Sequence, residues 1–288
     1  MEEIKDIAII GGGPAGMSAA LNGTVRNKNV LLFSNDYRES GLYRAERLDN
    51  ILGAFGISGA EFLEKSLEQI RQRDVPIIQG RIISILQNGN VFYIGCGSDL
   101  YMARAVILAS GIVISAAYPG ERELLGKGVS YCATCDGMLY RGKKVAVVAK
   151  SPEAVQEANF LQEIGCHVTV ITDGRALDGL TEDIPVAEGR KLSIEGTNCV
   201  KTLTIDGEPM EVDGIFILRT TIAMQSLLPG IELEDGHIAV NRKMETSISG
   251  VWAAGDCTGK PYQVAKAVGE GLIAALSAAE YLDQLDSE

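Results

Sequence analysis

The hexapeptide Gly11-Gly12-Gly13-Pro14-Ala15-Gly16 constrains the fold of this chain more than any other stretch. It follows a short apolar run, Ile7-Ala8-Ile9-Ile10, and opens into Met17-Ser18-Ala19-Ala20-Leu21, a run of small residues suited to a helix. Strand, glycine turn and helix, in that order, is the setting in which G-x-G-x-x-G carries physical meaning. Gly11 permits the tight turn, Gly13 lets the backbone approach a pyrophosphate, and Gly16 lets helix and strand pack closely. The free N–H groups and positive dipole end of the helix then face the phosphates. Val30-Leu31-Leu32-Phe33 completes a βαβ unit, so a dinucleotide is expected here. The acidic residue that usually ends the second strand and holds a ribose is missing. Ser34 and Asn35 stand there, with Asp36 slightly beyond.

A second unit of the same layout lies mid-chain. Lys143-Lys144-Val145-Ala146-Val147-Val148 reads as a first strand. The next segment places Val155, Ala158, Leu161 and Ile164 on one helix face, with Gly165 as its C-cap. Val168-Thr169-Val170-Ile171 is the following strand. The connecting turn, Ala149 to Ala154, has no glycine, so side chains fill the space a pyrophosphate needs. Ser151 and Pro152 suggest the helix's own N-cap and first residue, and Glu153 would repel a phosphate. Beyond the strand, Arg175 stands beside Asp173, where a 2′-phosphate calls for several arginines. Asp173 suits an unphosphorylated ribose and Lys150 suits a phosphate, but neither replaces the lost turn.

Between these units sits Tyr131-Cys132-Ala133-Thr134-Cys135-Asp136-Gly137. The C-x-x-C spacing allows a small disulfide or a dithiol, and a thiolate in such a pair has a depressed pKa. Asp136 is placed to give or take the proton that each exchange step moves. A structural zinc site would need a second ligand pair. The remaining cysteines, Cys96, Cys166, Cys199 and Cys257, are isolated, and the only histidines are His167 and His237, so no metal is expected. The isolated cysteines are read as buried small hydrophobes. Near the end of the chain, the apolar run Val251-Trp252-Ala253-Ala254 leads to Gly255-Asp256, and a helix follows from about Gln263 to Tyr281. Asp256 is a candidate ribityl or phosphate contact.

At 288 residues the chain is long enough for two domains. A net charge of −12 argues against nucleic acid, which needs a basic footprint. No apolar run approaches the roughly 20 residues of a membrane span. The acidic start lacks a basic region with an apolar core, so a cytoplasmic location is expected.

The order of these motifs, together with Asp49-Asn50-Ile51-Leu52-Gly53 and Ala267-Val268-Gly269-Glu270-Gly271, resembles the low-molecular-weight thioredoxin reductases over essentially the whole chain. Where NADPH-dependent members carry a glycine turn and a His-Arg-Arg element, this chain has Ala149–Ala154 and Ile171–Gly179. That departure resembles the ferredoxin-dependent flavin thioredoxin reductases. The resemblance implies an α/β architecture of two Rossmann-like, three-layer ββα-type domains. An FAD domain, 1–111 and 220–288, would be split by a degenerate NADPH-like domain, 112–219, that carries the cysteines. The crossings near Gly111-Ile112 and Leu218–Thr220 would act as a hinge.

The candidate FAD contacts are Gly11, Gly13, Pro14, Ala15, Gly16, Asn50, Gly111, Gly255, Asp256 and Gln263. By the family's pattern Cys135 faces the flavin, Cys132 attacks thioredoxin and Asp136 supplies protons. The attacking thiol is expected to be exposed. The implied partners are thioredoxin as acceptor, ferredoxin as donor and a second copy in a homodimer. Arg44, Arg47, Lys260 and Lys266 are candidate docking cations for an acidic ferredoxin. Three alternatives stand: NAD(P)H bound in an atypical site, a dithiol oxidase using oxygen, and a flavin-bound redox sensor.

Overall fold

The chain divides into two compact units, Met1–Ile114 with Met224–Glu288, and Ser115–Ala223. A computed structural model describes residues 3–111, 117–219 and 224–287. Ile112 and Thr220, named above for the crossings, lie outside these residues.

The first segment runs β1 (Lys5–Ile10), α1 (Pro14–Val25), β2 (Val30–Ser34), α2 (Gly59–Arg71), β3 (Ile77–Gln79), β4 (Ile82–Asn88), β5 (Val91–Cys96) and β6 (Asp99–Leu108). The inserted unit carries β7 (Val129–Ser130), α3 (Ala133–Asp136), β8 (Lys144–Lys150), α4 (Ala154–Glu163), β9 (His167–Thr172) and β10 (Val186–Glu188). It continues with β11 (Leu192–Glu195), β12 (Thr202–Ile205), β13 (Glu208–Glu211) and β14 (Gly214–Arg219). The last segment adds α5 (Met224–Leu227), β15 (Leu233–Glu234), β16 (His237–Ile238), β17 (Val251–Ala253) and α6 (Val264–Leu285).

In the first unit the sheet order is β3-β2-β1-β6-β5-β4. β1 pairs parallel with β2 and β6. One edge of β6 serves two partners. Its first half pairs antiparallel with β5, and Val106 to Leu108 pair parallel with β17. Ile10 and Ala253 both pair with Leu108, so β1 and β17 end at one level. The glycine turn after β1 and Gly255-Asp256 after β17 therefore emerge at the same edge of the sheet. Ligands in open α/β sheets bind at the carboxyl ends of the strands.

The small residues of α1 have a packing cause. A Cβ on Gly271 of α6 would lie 2.1 Å from the Ala15 carbonyl oxygen, and Ser18 Oγ donates to the Val268 carbonyl at 2.7 Å. Only small side chains let the two helices approach so closely. Ile7, Ile9, Leu32, Leu63, Ile107 and Trp252 fill the core beneath them.

The inserted unit is Rossmann-like as well. Its parallel sheet has the order β10-β9-β8-β14-β7, and β11-β12-β13 form a separate antiparallel sheet. Val145, Val147, Val170, Phe216 and Leu218 pack with Ala158 and Leu161 of α4. The structure corrects one expectation here. α4 begins at Ala154, with Glu153 at its N-cap and no side-chain cap bond. Ser151 and Pro152 belong to a preceding turn in which Ala154 N–H bonds the Ser151 carbonyl at 3.2 Å. The Ser151 hydroxyl, 1% exposed, points inward and finds no hydrogen-bond partner, so it caps nothing.

Candidate functional site

Two sites are built, one in each unit. In the first, Gly11 adopts φ +120° and donates its N–H to the Phe33 carbonyl at 2.8 Å. A Cβ on Gly16 would lie 1.8 Å from the Gly11 carbonyl oxygen, so the start of α1 rests against the turn itself. Above Gly13 there is open space: no atom lies within 4 Å of where a Cβ would stand. Pro14 opens the helix, and Gly13 at its N-cap forms no side-chain bond. The first turn holds no acidic residue. Free N–H groups, a positive dipole end and room for a phosphate coincide.

Gly255 joins the same place. Its φ is +86°, and a Cβ there would lie 2.9 Å from that of Ala15. Glu270 holds the turn after β17 by accepting Gly255 N–H and Thr258 Oγ–H, each at 2.9 Å. Lys266 Nζ donates to the Gly255 and Gly259 carbonyls, each at 2.8 Å, and pairs with Glu270 at 3.0 Å. Lys266 is thus an internal strut and not a docking cation. Asn50 Nδ2 donates to Gln263 Oε1 at 2.6 Å, joining two candidate ring contacts 213 residues apart in sequence. Gly111, at φ +71°, lies just beyond the end of β6. Asp36 is committed elsewhere: it accepts from Arg38 Nη2 at 2.6 Å and caps a short 3-10 turn. Arg47 pairs with Asp49 and lies over the Phe55 ring, yet it stays exposed, as do Arg44 and Lys260.

The Asp256 carboxyl is held above the usual carboxylate range. Burial is the main cause, Lys266 acts against it and Glu270 adds to it. Such a group binds more protons folded than unfolded between its two pKa values. Its contribution to stability is therefore lost as pH rises through the folded value. Asp256→Asn is expected to remove that decline, so between pH 4 and pH 7.5 the apoprotein variant should lose less stability than the parent. The same variant is expected to hold FAD about tenfold less tightly, the equivalent of one lost hydrogen bond. Thermal melts of apoprotein and holoprotein at both pH values check this; unchanged FAD retention refutes the contact.

In the second unit, β7 lies beside β14, with Ser130 opposite Phe216. It delivers the chain directly into the cysteine turn. Cys132 and Cys135 are joined as a disulfide, with Cα atoms 5.4 Å apart. Cys132 is the N-cap of α3, and its Sγ accepts the Cys135 N–H at 3.2 Å. Ser130, which the sequence reading did not single out, organises the turn. Its hydroxyl donates to Asp136 Oδ2 at 2.7 Å and accepts the Cys132 N–H at 3.1 Å. Glu157 of α4 accepts the Ala133 N–H at 2.8 Å.

Exposure departs from expectation. Cys132 is 5% exposed, whereas Cys135 is exposed. The cause is local: the Cys132 sulfur caps the turn from within, and Cys135 lies on its outer side. Of the other cysteines, Cys96, Cys166 and Cys257 are buried as expected, but Cys199 is exposed. Burial pushes the Cys257 thiol up to about 12, which makes it inert.

The degenerate turn has a further feature. Lys150 Nζ bonds Asp173 Oδ2 at 2.8 Å, and this bond with Lys150 holds the Asp173 carboxyl below the usual carboxylate range. The two side chains that could each have met a nucleotide meet each other.

A dinucleotide turn on one Rossmann-like unit and a redox-capable cysteine pair on the other define a nucleotide-dependent disulfide oxidoreductase. The pyridine nucleotide-disulphide oxidoreductase family model matches residues 5–271. The chain is 33% identical to the thioredoxin reductase of Bacillus subtilis, over 99% of this chain and 96% of that one. It is also 33% identical to the thioredoxin reductase of Treponema pallidum, over 100% of both chains. Among solved structures, a ferredoxin-flavin thioredoxin reductase from Clostridium acetobutylicum matches with a TM-score of 0.91 and 41% identity, covering 100% of both chains. The chain belongs to the pyridine nucleotide-disulphide oxidoreductases, and within them to the thioredoxin reductases. Its cofactor is FAD. The open, uncapped turn at Gly13 and the half-buried Asp256 beside it fit that group.

Proposed function

We propose that this enzyme takes electrons from reduced ferredoxin and passes them through FAD and the Cys132–Cys135 pair to the disulfide of thioredoxin. The Lys150–Asp173 pair carries the reading. It ties the only cation of the glycine-free turn to the acid that follows β9. A soluble nicotinamide coenzyme would find no glycine turn there to let its pyrophosphate approach and would have to break a charge pair to bind. The similarity to the Clostridium enzyme supports ferredoxin as donor.

FAD, when bound, supplies the electron pair. Two electrons and two protons convert the Cys132–Cys135 disulfide to two thiols. The Cys132 thiolate then attacks a sulfur of thioredoxin's disulfide, forming a mixed disulfide and expelling the other thioredoxin sulfur as thiolate. Cys135 attacks Cys132 Sγ, which restores the internal disulfide and releases the second thioredoxin thiol. Asp136, aimed by Ser130, takes the proton from each attacking thiol and returns it to each leaving thiolate. The N–H of Cys135 stabilises negative charge on Cys132 Sγ. The enzyme is a cytoplasmic homodimer in this reading. Among the described residues no helix is long and apolar enough to cross a membrane. Val268, Leu272, Ile273 and Leu276 leave an apolar face of α6 exposed, which suits a second copy.

Anaerobic titration followed by flavin absorbance is the test. Reduced ferredoxin is expected to bleach the flavin fully, and NADPH or NADH to leave it oxidised over minutes. Rapid bleaching by either nucleotide overturns the proposal in favour of an atypical coenzyme site. Rapid oxygen uptake with small dithiols would instead mark a dithiol oxidase.

A further inference from the structure

A fully buried ion pair in the inserted unit is used by none of these steps. Glu121 is 0% exposed and Arg219 4%. Two guanidinium N–H groups meet the two carboxylate oxygens, Nη1 on Oε1 and Nη2 on Oε2, the latter at 2.8 Å. The same carboxylate accepts the Tyr131 hydroxyl at 2.9 Å and the Tyr118 N–H at 2.8 Å. The Arg219 guanidinium also lies over the Tyr118 ring, 4.7 Å from its centroid.

The places of these residues in the chain give the network its meaning. Tyr118 and Glu121 lie near the start of the inserted unit, and Arg219 closes β14 near its end. Tyr131 immediately precedes Cys132. The first of these segments is itself fixed: Gly120 holds φ +83°, a Cβ there would lie 1.9 Å from the Ile194 carbonyl oxygen, and Ile194 N–H bonds the Pro119 carbonyl at 2.8 Å. We propose that Glu121, Arg219 and Tyr131 are positioning residues that tie both ends of the inserted unit to the redox cysteine segment, so that Cys132 keeps a fixed place relative to both ends of that unit. Plain stabilisation does not account for the network, because apolar packing stabilises at least as well as a buried ion pair. A planar bidentate pair adds direction and register, which apolar contacts lack.

The proposal rests on the Cys132–Cys135 pair being reduced from the flavin. Three variants test it: Tyr131→Phe, Arg219→Lys, and the double variant Glu121→Leu/Arg219→Met, which fills the space without charge. Three quantities are read on the holoenzyme: the Tm, the rate at which photoreduced flavin reduces the disulfide, and the rate at which dithiothreitol-reduced enzyme reduces a small aromatic disulfide. The last bypasses the flavin. Tyr131→Phe and the double variant are expected to slow flavin-to-disulfide transfer about tenfold or more, since small misplacements carry large rate penalties. The Tm of Tyr131→Phe should stay near the parent's and that of the double variant a few degrees below it, because the Tyr131 hydroxyl and the Tyr118 N–H lose their acceptor, while the bypass rate stays within about twofold in both. Arg219→Lys, which keeps the charge but not the fork, should fall between parent and double variant.

The proposal is overturned if the double variant transfers electrons at the parent rate. It is equally overturned if transfer and bypass rates fall together in step with Tm. A parent enzyme whose photoreduced flavin never reduces the disulfide sinks the underlying reading and this proposal together, and needs no variant to be seen.

Discussion

Cys132→Ser is expected to abolish thioredoxin reduction, by on the order of a thousandfold or more, as for loss of an active-site nucleophile elsewhere. Reduction of the flavin should proceed as in the parent. The prediction is sharp because Cys132 is the less exposed sulfur of the oxidised pair. A reading from exposure alone would choose Cys135 as the attacking thiol. In the proposed reading Cys132 is the attacking thiol, and its sulfur accepts an N–H bond from Cys135 that strengthens once the disulfide opens to a thiolate. In that reading Cys132 must emerge after reduction to reach thioredoxin. Cys135→Ser is the complement. It should leave Cys132 able to attack but unable to be resolved, so a Cys132–thioredoxin mixed disulfide should accumulate on non-reducing gels. If the adduct forms in Cys132→Ser and not in Cys135→Ser, the two roles are reversed.

Substitution at the glycine turn should separate packing from cofactor contact. In Gly16→Ala the new methyl would stand 1.8 Å from the Gly11 carbonyl oxygen, a backbone atom that no side-chain rotation can clear. The helix must lift from the turn, at a cost at or above the upper end of the roughly 1–3 kcal/mol typical of overpacking. A Tm lower by at least about 5 °C is expected. FAD content as purified should fall to a small fraction of the parent's. Gly13→Ala is the contrast. No atom lies within 4 Å of its Cβ position, so the apoprotein Tm should hold. The methyl nevertheless enters the space a pyrophosphate needs, so FAD content should fall just as far. Absorbance ratios and thermal melts of both variants decide the matter. Full FAD content in Gly13→Ala would remove the pyrophosphate from this turn.

The two sites differ in how legible they were. The glycine turn and the cysteine pair could be read because their chemistry lies within six or seven consecutive residues. Asn50 and Gln263 were candidates only through a family likeness; their contact depends on the sheet bringing the two loops together. Ser130 and Glu121 carried no sequence signal, since an isolated polar residue is ordinarily a solvated one. Lys266 was assigned to the surface for that reason and proved to be internal. The N-cap expected at Ser151 failed because a serine before a helix offers its hydroxyl to whichever way the turn faces, and this turn faces inward.

The sequence by itself determined where the backbone must turn tightly, which segments alternate as strand and helix, and which pair of thiols can close. These are consequences of steric rules that act between near neighbours. Only the tertiary structure decided that Lys150 neutralises Asp173, that Glu121 reaches Arg219, and that Cys132 and not Cys135 is covered. Those outcomes depend on which distant side chains meet when parallel strands fall into register, and charge pairing and burial act through space with no regard to order along the chain.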